Sequence, residues 1–274
     1  MTVRRFDADY LRFTRRGLWD DRSVLAELDL PNRRRVLDVG CGTGELTRVL
    51  ADETPGEVLG IDADPELLAG ARDRAASGSP FRVAVGDAGR LPVRTGGVDL
   101  VACQTLLINL PDPAPVLGEF RRVSSELVAA IEPDNASVAV DSTVEAEVRV
   151  ERRARAAYLA GVETDVGLGP AEDLFRAAGL VDVRTRRRDH VRTVEPPYSE
   201  QDLRAARRKA SGAGLASDRD TMLAGGMTER AYDDLRAEWR AMGRDVIAAI
   251  QNDEYRREET VPFYVTVGRV PDAG

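Results

Sequence analysis

The stretch 36-VLDVGCGTGEL-46 decides the fold of this chain. It begins as a short apolar run and then breaks into three glycines, Gly40, Gly42 and Gly44, before a helix-forming segment. A buried strand that leads into a glycine-rich turn and a helix N-terminus is how an α/β sheet holds a nucleotide-like ligand. Glycine lets the backbone turn tightly and lets a ligand approach where a Cβ would clash. The stretch therefore predicts a strand, a turn and a helix, with a ligand site at the turn.

The spacing of these glycines separates two kinds of nucleotide site. A dinucleotide-binding turn has the pattern G-x-G-x-x-G, which would place its third glycine at position 45. Position 45 holds Glu45, and the third glycine is Gly44. This G-x-G-x-G form, with Asp38 two residues before the first glycine, resembles motif I of the class I S-adenosylmethionine (SAM) methyltransferases. Within that class, 98-VDLVACQTLLINLPDP-113 resembles the subgroup of ubiquinone- and menaquinone-type methyltransferases.

Short apolar segments alternate with helical segments on both sides of the glycine turn. The predicted strands of this region are 34–39, 58–61, 81–85, 98–103 and 127–131. The alternation predicts an α/β fold in which a parallel sheet is covered on both faces, and right-handed crossovers make that sheet doubly wound. The resemblance implies a seven-stranded, mostly parallel, Rossmann-like sheet, completed by a sixth strand at 180–188 and an antiparallel seventh at 261–270.

The rest of the chain predicts helices around this sheet. They are expected at 7–29, 141–161, 170–178, 199–216 and 228–254. We expect a single methyltransferase domain over 1–274 with a SAM-binding core at 33–132. Helical lid or acceptor segments are expected at 1–30, 141–169 and 190–258. The last helix carries a clear apolar stripe and is a candidate contact between two subunits.

Two further carboxylates follow the next two predicted strands. Asp62 ends strand two, where a carboxylate can accept hydrogen bonds from both hydroxyls of a ribose. The alternative is a cap for the helix that starts at Pro65, although Asp64 is better placed for that role. Asp87 follows strand three, where the resemblance implies a contact with the adenine amino group and the alternative is an ordinary turn aspartate. These carboxylates, in order behind the glycine turn, predict SAM binding.

The resemblance implies a set of cofactor-binding residues along one edge of the sheet. They are Asp38, Gly40, Cys41, Gly42, Gly44, Asp62, Ala63, Asp87, Ala88, Gln104 and Leu107. The last two follow strand four, which in relatives backs the methionine part of SAM and its methyl group. The implied cofactor is SAM, and the implied product is S-adenosylhomocysteine (SAH).

The sequence does not identify a catalytic residue. The candidates are Tyr10, Asn109, Glu132 and Tyr158. Asn109 stands where many relatives carry histidine, which argues against a histidine-assisted mechanism. The single histidine, His190, is interpreted as a surface residue, and a catalytic role is the alternative. It lies in the arginine-rich stretch Arg184–Arg192, which either binds an anionic acceptor or forms a solvated basic face.

Composition argues against several other classes of protein. The net charge of −8 argues against nonspecific nucleic-acid binding, which depends on neutralising phosphates. The N-terminal residues have no apolar core of a signal peptide, no segment is apolar enough to span a membrane, and two cysteines suit a reducing cytoplasm. No set of cysteines, histidines or carboxylates has the spacing of a metal site.

Together these features predict a cytoplasmic SAM-dependent methyltransferase that acts on a small molecule. Three alternatives stay open: an RNA or protein acceptor, a non-catalytic SAM-binding protein, and an NAD-dependent oxidoreductase. Glu45 in place of glycine argues against the last of these.

Overall fold

A computed structural model describes residues 17–76, 81–165 and 168–271. Its contacts divide the chain into two compact units. The first unit comprises Met1–Asp134, Gly167–Arg188 and Pro262–Gly274, and the second comprises Asn135–Val166 and Asp189–Val261.

The elements in chain order are as follows. The strands are β1 Arg35–Val39, β2 Glu57–Asp62, β3 Arg82–Val85, β4 Val98–Gln104, β5 Ser124–Pro133, β6 Ala139–Ser142, β7 Val181–Val194 and β8 Arg257–Arg269. The α-helices in the described ranges are α1 Glu45–Glu53, α2 Pro65–Ala76, α3 Ala114–Val123, α4 Glu145–Gly161, α5 Glu172–Ala177, α6 Glu200–Ser211, α7 Ala213–Ala224 and α8 Glu229–Gln251, and short 3-10 helices lie at Ser23–Leu28, Leu30–Asn32, Leu107–Asn109 and Asn135–Ser137. Strands β7 and β8 each contribute residues to both units.

The first unit contains a twisted sheet in the order β3-β2-β1-β4-β5-β8. Its first five strands pair in parallel, β8 pairs antiparallel with β5, and β7 pairs with β8. This arrangement confirms the predicted doubly wound, mostly parallel sheet, in which β7 and β8 are the predicted sixth and seventh strands.

The direction of the chain in this sheet reverses at β1. The chain runs outward through β2 to β3 and then returns to place β4 on the other side of β1. Val39 at the end of β1 is in register with Ile61 of β2 and with Cys103 of β4. Because these strands are parallel, their carboxyl ends lie at one edge, and ligands of open α/β sheets bind where the strand order reverses.

The core of the first unit is formed by fully buried strands and by amphipathic helices that cover them. All seven residues of β4 are buried, as expected for a central strand with helices on both faces. On α3 the buried side chains recur at helical spacing, and Leu117 and Phe120 have no exposed surface. Burying each such side chain contributes roughly 1.5–3 kcal/mol, so α3 is held mainly by this face.

The second unit packs four helices, α4 and α6–α8, around its own hydrophobic cluster. Strand β6 pairs antiparallel with the first residues of β8, Arg257 to Thr260. The predicted stripe of α8 belongs to this cluster and includes the buried Tyr232, Leu235, Met242 and Val246. Because the stripe packs inside the unit, it does not require a second chain to cover it. No helix in the described ranges combines the length and hydrophobicity that crossing a membrane requires.

Several predicted boundaries were wrong. The helix predicted at 199–216 is two helices, because Gly212 adopts a left-handed conformation (φ 71°) that ends α6. The helix predicted at 141–161 begins only at Glu145, because Ala139–Ser142 form the strand β6, and the strand predicted at 180–188 continues as β7 to Val194. The described part of the helix predicted at 7–29 contains only the short 3-10 helix Ser23–Leu28, and its first residues lie outside the described ranges.

Candidate functional site

The glycine turn after β1 is bound to the end of β2. The N–H groups of Gly40 and Cys41 both donate to the carbonyl of Ile61, at 2.7 and 3.1 Å. Gly40 and Gly44 have φ values of 72° and 81°, which residues with a side chain rarely adopt. A Cβ on Gly44 would also lie 3.1 Å from the Cβ of Ala71, so this turn needs glycine for packing as well as for conformation.

Asp62 links β2 to the glycine turn. One of its carboxylate oxygens, Oδ2, accepts a hydrogen bond from the N–H of Gly42 at 2.8 Å, and Oδ1 accepts from the N–H of Asp64 at 2.8 Å. Asp62 is half-buried, and the neighbouring Ala63 is exposed. Asp64 in turn accepts from the N–H of Glu66, which is the capping role expected of it. The carboxylate of Asp62 is therefore fixed in orientation at the edge of the sheet.

Asp38 and Cys41 lie beneath the turn. Asp38 is 1% exposed and its Oδ2 accepts from the hydroxyl of Thr47 at 2.6 Å. Cys41 is also buried, and burial raises the pKa of its thiol. A Cβ on Gly60 would lie 2.9 Å from the Cys41 sulfur. These side chains support the turn from the core side, so any contact of Cys41 with a ligand would be through its backbone.

Glu45 is held by partners that sequence reasoning missed. The hydroxyl of Thr43 donates to both Glu45 oxygens, at 2.9 and 2.8 Å, and Arg74 of α2 donates to Oε1 at 2.8 Å. Arg74 also donates to the carbonyl of Thr43 at 3.0 Å. This clamp fixes the first turn of α1. In the sequence, the only indication of these contacts is Glu45 itself, an acidic residue in the first turn of a helix, where a negative charge interacts favourably with the helix dipole.

The turn after β3 presents Asp87 to solvent. Its Oδ1 accepts from the N–H of Gly89 at 2.8 Å, which is the geometry of an ordinary aspartate turn. Ala88 is half-buried and packs against the core cluster of the first unit. The carboxylate of Asp87 keeps free acceptor capacity on the solvent side.

The end of β4 contains buried polar groups whose hydrogen-bonding capacity is not met. Gln104 is 3% exposed, and neither atom of its amide has a hydrogen-bond partner in the described part of the protein. Leu107 is 1% exposed. Asn109 donates from Nδ2 to the carbonyl of Thr105 at 2.8 Å, while its Oδ1 is buried with no partner there. A buried amide without partners is costly, and such groups in native proteins mark functional or water sites.

Glu132, at the end of β5, is fully buried beside this segment. Its Oε1 accepts from the N–H groups of Leu106 and Leu107, both at 3.0 Å, and its Oε2 lies 3.4 Å from the N–H of Ile108. Burial raises the pKa of Glu132 from 4.5 to about 7, although these backbone hydrogen bonds oppose the shift. The carboxylate of Glu132 therefore faces the backbone of residues 106–108.

The two remaining catalytic candidates are Tyr10 and Tyr158. Tyr10 is outside the described residues. Tyr158 lies on α4 of the second unit and packs, half-buried, against the hydrophobic cluster there. His190, in the same unit, is 3% exposed, so its interpretation as a surface residue was wrong. It lies on β7, where the alternation of the strand turns its side chain inward.

The arginine-rich stretch on β7 is largely paired. In the first unit, Arg186 donates to Glu27 at 2.8 Å and Arg188 donates to Asp21 at 2.6 Å. In the second unit, Arg192 pairs with Glu259. These partners reduce the net positive charge of the face that the sequence suggested. In the described ranges no group of three or more histidine, cysteine or carboxylate side chains is arranged to hold a metal ion.

One edge of the sheet thus carries the glycine turn, the fixed carboxylate of Asp62, the turn at Asp87 and the buried amide of Gln104. Residues 36–127, which run from β1 into β5, match the model of a family described as a methyltransferase domain. This segment is a class I SAM-dependent methyltransferase domain. The resemblance drawn from motif I is thereby confirmed, and SAM is the cofactor of this family.

Curated relatives of the methyltransferase domain match over part of their length. A demethylmenaquinone methyltransferase from Lactiplantibacillus plantarum is 36% identical over 107 residues, which are 37% of this chain and 45% of the relative. An uncharacterized 37.1 kDa protein in a transposon of Streptomyces fradiae is 35% identical over 123 residues, or 43% of this chain and 35% of that protein. This chain therefore spans less than half the length of either relative.

The fold of the methyltransferase domain also occurs among solved structures. The YcgJ protein of Bacillus subtilis aligns with 92% of this chain and 99% of its own, with a TM-score of 0.51 and 14% sequence identity. Similarity at this level of identity concerns the fold alone.

Proposed function

We propose that this protein transfers a methyl group from SAM to a small-molecule acceptor. The observation that carries the proposal is the carboxylate of Asp62, which both Gly42 and Asp64 hold in place at the edge where the strand order reverses. A carboxylate in this position is suited to accept hydrogen bonds from the two hydroxyls of a ribose.

The residues along this edge fit an adenosyl ligand. A Cβ on Gly40 would lie 3.0 Å from Leu106, so the absence of a side chain lets the glycine turn pack closely against the segment that follows β4. Asp87 and Ala88 would contact the adenine. The amide of Gln104, which has no partner in the described structure, would gain one from the polar methionine end of the ligand.

When bound, SAM supplies an electrophilic methyl group and leaves as SAH. The work of the protein's own residues is then to align an acceptor and to exclude water, and positioning of this kind supplies much of the catalysis in group transfer. Leu107 is buried and would form an apolar wall. The buried Oδ1 of Asn109 would accept a hydrogen bond from a donor group on the molecule that is methylated.

A small-molecule acceptor is favoured over RNA. The protein carries a net charge of −8, and Arg186 and Arg188 of its most basic stretch are paired with acidic side chains. The relative from Lactiplantibacillus plantarum is named for methylation of demethylmenaquinone, a small molecule.

Calorimetric titration with SAM and SAH tests the proposal. We expect saturable binding of both ligands, and the absence of saturable heat from either at millimolar ligand would refute it. In Asp62→Asn one acceptor oxygen becomes a donor, so the SAH affinity should fall about tenfold or more. Asp64→Asn is the matched control, because Asp64 caps α2, and it should bind SAH about as tightly as the unmodified protein.

Turnover is tested by SAH formation in the presence of quinol, phenol and amine acceptors, with RNA as the competing acceptor class. SAH formation only with RNA would contradict the proposed acceptor class. Tight SAH binding without turnover of any acceptor would identify a non-catalytic SAM-binding protein.

A further inference from the structure

The segment between β4 and α3 is held by a side chain from another strand. Residues 105–109 leave the sheet at the end of β4, and a single carboxylate, that of Glu132 on β5, accepts from three successive backbone N–H groups there. Helix caps and turns usually satisfy such groups locally. Here the acceptor comes from 25 residues away, on the neighbouring strand.

The same segment contains a strained residue. Thr105 has a φ of 54°, in the left-handed region that a β-branched side chain rarely adopts. Its N–H donates to the carbonyl of Ile131 at 2.9 Å, and its own carbonyl accepts from Asn109 at 2.8 Å. A strained conformation persists only where the surrounding structure over-determines it, and such positions cluster at functional sites.

The segment also sets the position of a residue under the glycine turn. Leu106 follows the strained residue directly, and a Cβ on Gly40 would lie 3.0 Å from its Cδ1. Movement of Leu106 by a fraction of an ångström would therefore change the space beneath the glycine turn. Gln104 is the last residue of β4, just before this segment, and Leu107 directly follows Leu106 within it.

We infer that Glu132 is a positioning residue that holds the backbone of residues 106–108, and with it the side of the cofactor cleft that faces the methyl group. It acts through Leu106 and the loop, and it does not itself contact the cofactor or the acceptor. The inference about the cleft rests on the proposed function, whereas the inference about the loop does not.

The two oxygens of Glu132 divide the three N–H groups between them. One oxygen, Oε1, takes two N–H groups at 3.0 Å, and the second oxygen is nearest to the third N–H. Burial raises the pKa of Glu132, so the neutral form is accessible near neutral pH, and its carbonyl oxygen would still accept from Leu106 and Leu107. The thiol of Cys103 lies 3.8 Å away, and burial keeps it protonated because its pKa is well above the usual value.

Three variants separate this role from ordinary core stability. Glu132→Met removes both acceptor oxygens at similar size, and Glu132→Gln keeps one carbonyl oxygen for Leu106 and Leu107. Asp99→Asn is the control, because Asp99 is also a buried carboxylate that accepts from two backbone N–H groups, those of Arg34 and Arg35, at the start of β4. That end of β4 is opposite to the candidate site.

Amide hydrogen exchange of the full chain without ligand tests the loop. In Glu132→Met we expect exchange over 106–108 to rise about tenfold or more relative to exchange over 100–102. We expect Glu132→Gln to stay within about threefold of the unmodified protein, since its carbonyl can replace Oε1. Asp99→Asn should leave the ratio of the exchange rates over 106–108 and over 100–102 unchanged. Equal acceleration of both segments in Glu132→Met, or no acceleration, would overturn the inference.

SAH affinity tests the consequence for the cleft. We expect Glu132→Met to weaken SAH binding about tenfold, Glu132→Gln to restore most of it, and Asp99→Asn to leave it unchanged. Failure of the unmodified protein to bind SAH would refute the proposed function but leave the exchange result interpretable. Faster loop exchange in Glu132→Met with unchanged SAH affinity would overturn the role in the cofactor cleft.

Discussion

The carboxylate of Asp62 accepts a hydrogen bond from the backbone N–H of Gly42 at 2.8 Å. This contact joins the ends of two adjacent parallel strands, β1 and β2, through a side chain that is only half-buried. A change in the glycine turn should therefore alter the orientation of the acid that we expect to bind the ribose, and a change in that acid should loosen the turn.

The first prediction concerns the glycine turn. Gly40→Ala places a methyl group at a φ of 72°, 3.0 Å from Leu106. We expect a loss of roughly 1–2 kcal/mol in the free energy of unfolding from the backbone conformation alone, together with weaker SAH binding. Gly118→Ala is the control, because Gly118 lies on α3 and a Cβ added there would have no atom within 4 Å. It should stabilise the protein by roughly 0.5–1 kcal/mol. Equal stability of the two variants would contradict the prediction.

The second prediction concerns the pH dependence of stability. The pKa of Glu132 is raised from 4.5 to about 7 in the folded protein, mainly by burial. Between these values the folded state keeps a proton that the unfolded state releases, so the free energy of unfolding falls as pH rises and then levels off. The titration of Glu132 lowers the free energy of unfolding by about 3 kcal/mol between these two pKa values.

Glu132→Gln removes this titration. Urea unfolding at several values from about pH 4.5 to about pH 8 should show a smaller decline in the variant than in the unmodified protein. The difference between the two curves isolates Glu132 from other groups that titrate in this range. Parallel curves would show that its folded-state pKa is close to the usual value.

The third prediction concerns buried charges in the second unit. Lys209 pairs with Glu147, which has no exposed surface, and with Glu151 at 2.7 Å. Arg257 pairs with Glu151 at 2.8 Å. Removing one partner from a buried ion pair leaves an uncompensated charge, so Lys209→Met should cost roughly 3–5 kcal/mol.

The control for this prediction is an exposed ion pair in the same unit. Arg153 pairs with Glu238 at 2.6 Å, with both side chains more than 40% exposed. Arg153→Met should cost no more than about 1 kcal/mol. Urea unfolding measures the stability of both variants. A loss of unfolding free energy in Lys209→Met as small as that in Arg153→Met would contradict the prediction.

The fourth prediction concerns the contact between α6 and α8. A Cβ on Gly243 would lie 2.3 Å from the backbone nitrogen of Ala210, so the two helices approach at a distance that only glycine permits. Gly243→Ala should destabilise the protein by roughly 1–3 kcal/mol or more, as overpacking of a core does. Gly214→Ala on α7 has only a flexible arginine nearby, at 3.9 Å, and should be neutral or stabilising in the same thermal melt.

Local signals predicted much of the first unit. The strands β1, β2 and β4 were predicted from short apolar runs in the sequence. The cap at Asp64 was predicted from its position before Pro65 and has the expected hydrogen bond. The helix boundary at Gly212 was missed because glycine inside a helical pattern is tolerated in many proteins, and only its left-handed conformation shows that the helix ends there.

By itself the sequence determined the order of strands and helices in the parallel sheet and the position of the glycine turn. It could do so because apolar periodicity and the backbone freedom of glycine act over a few neighbouring residues. Only the tertiary structure decided the surroundings of Glu132, Gln104 and His190. Their burial and partners depend on which distant segments pack beside them: Glu132 meets backbone N–H groups 25 residues away, a pairing that no local pattern encodes.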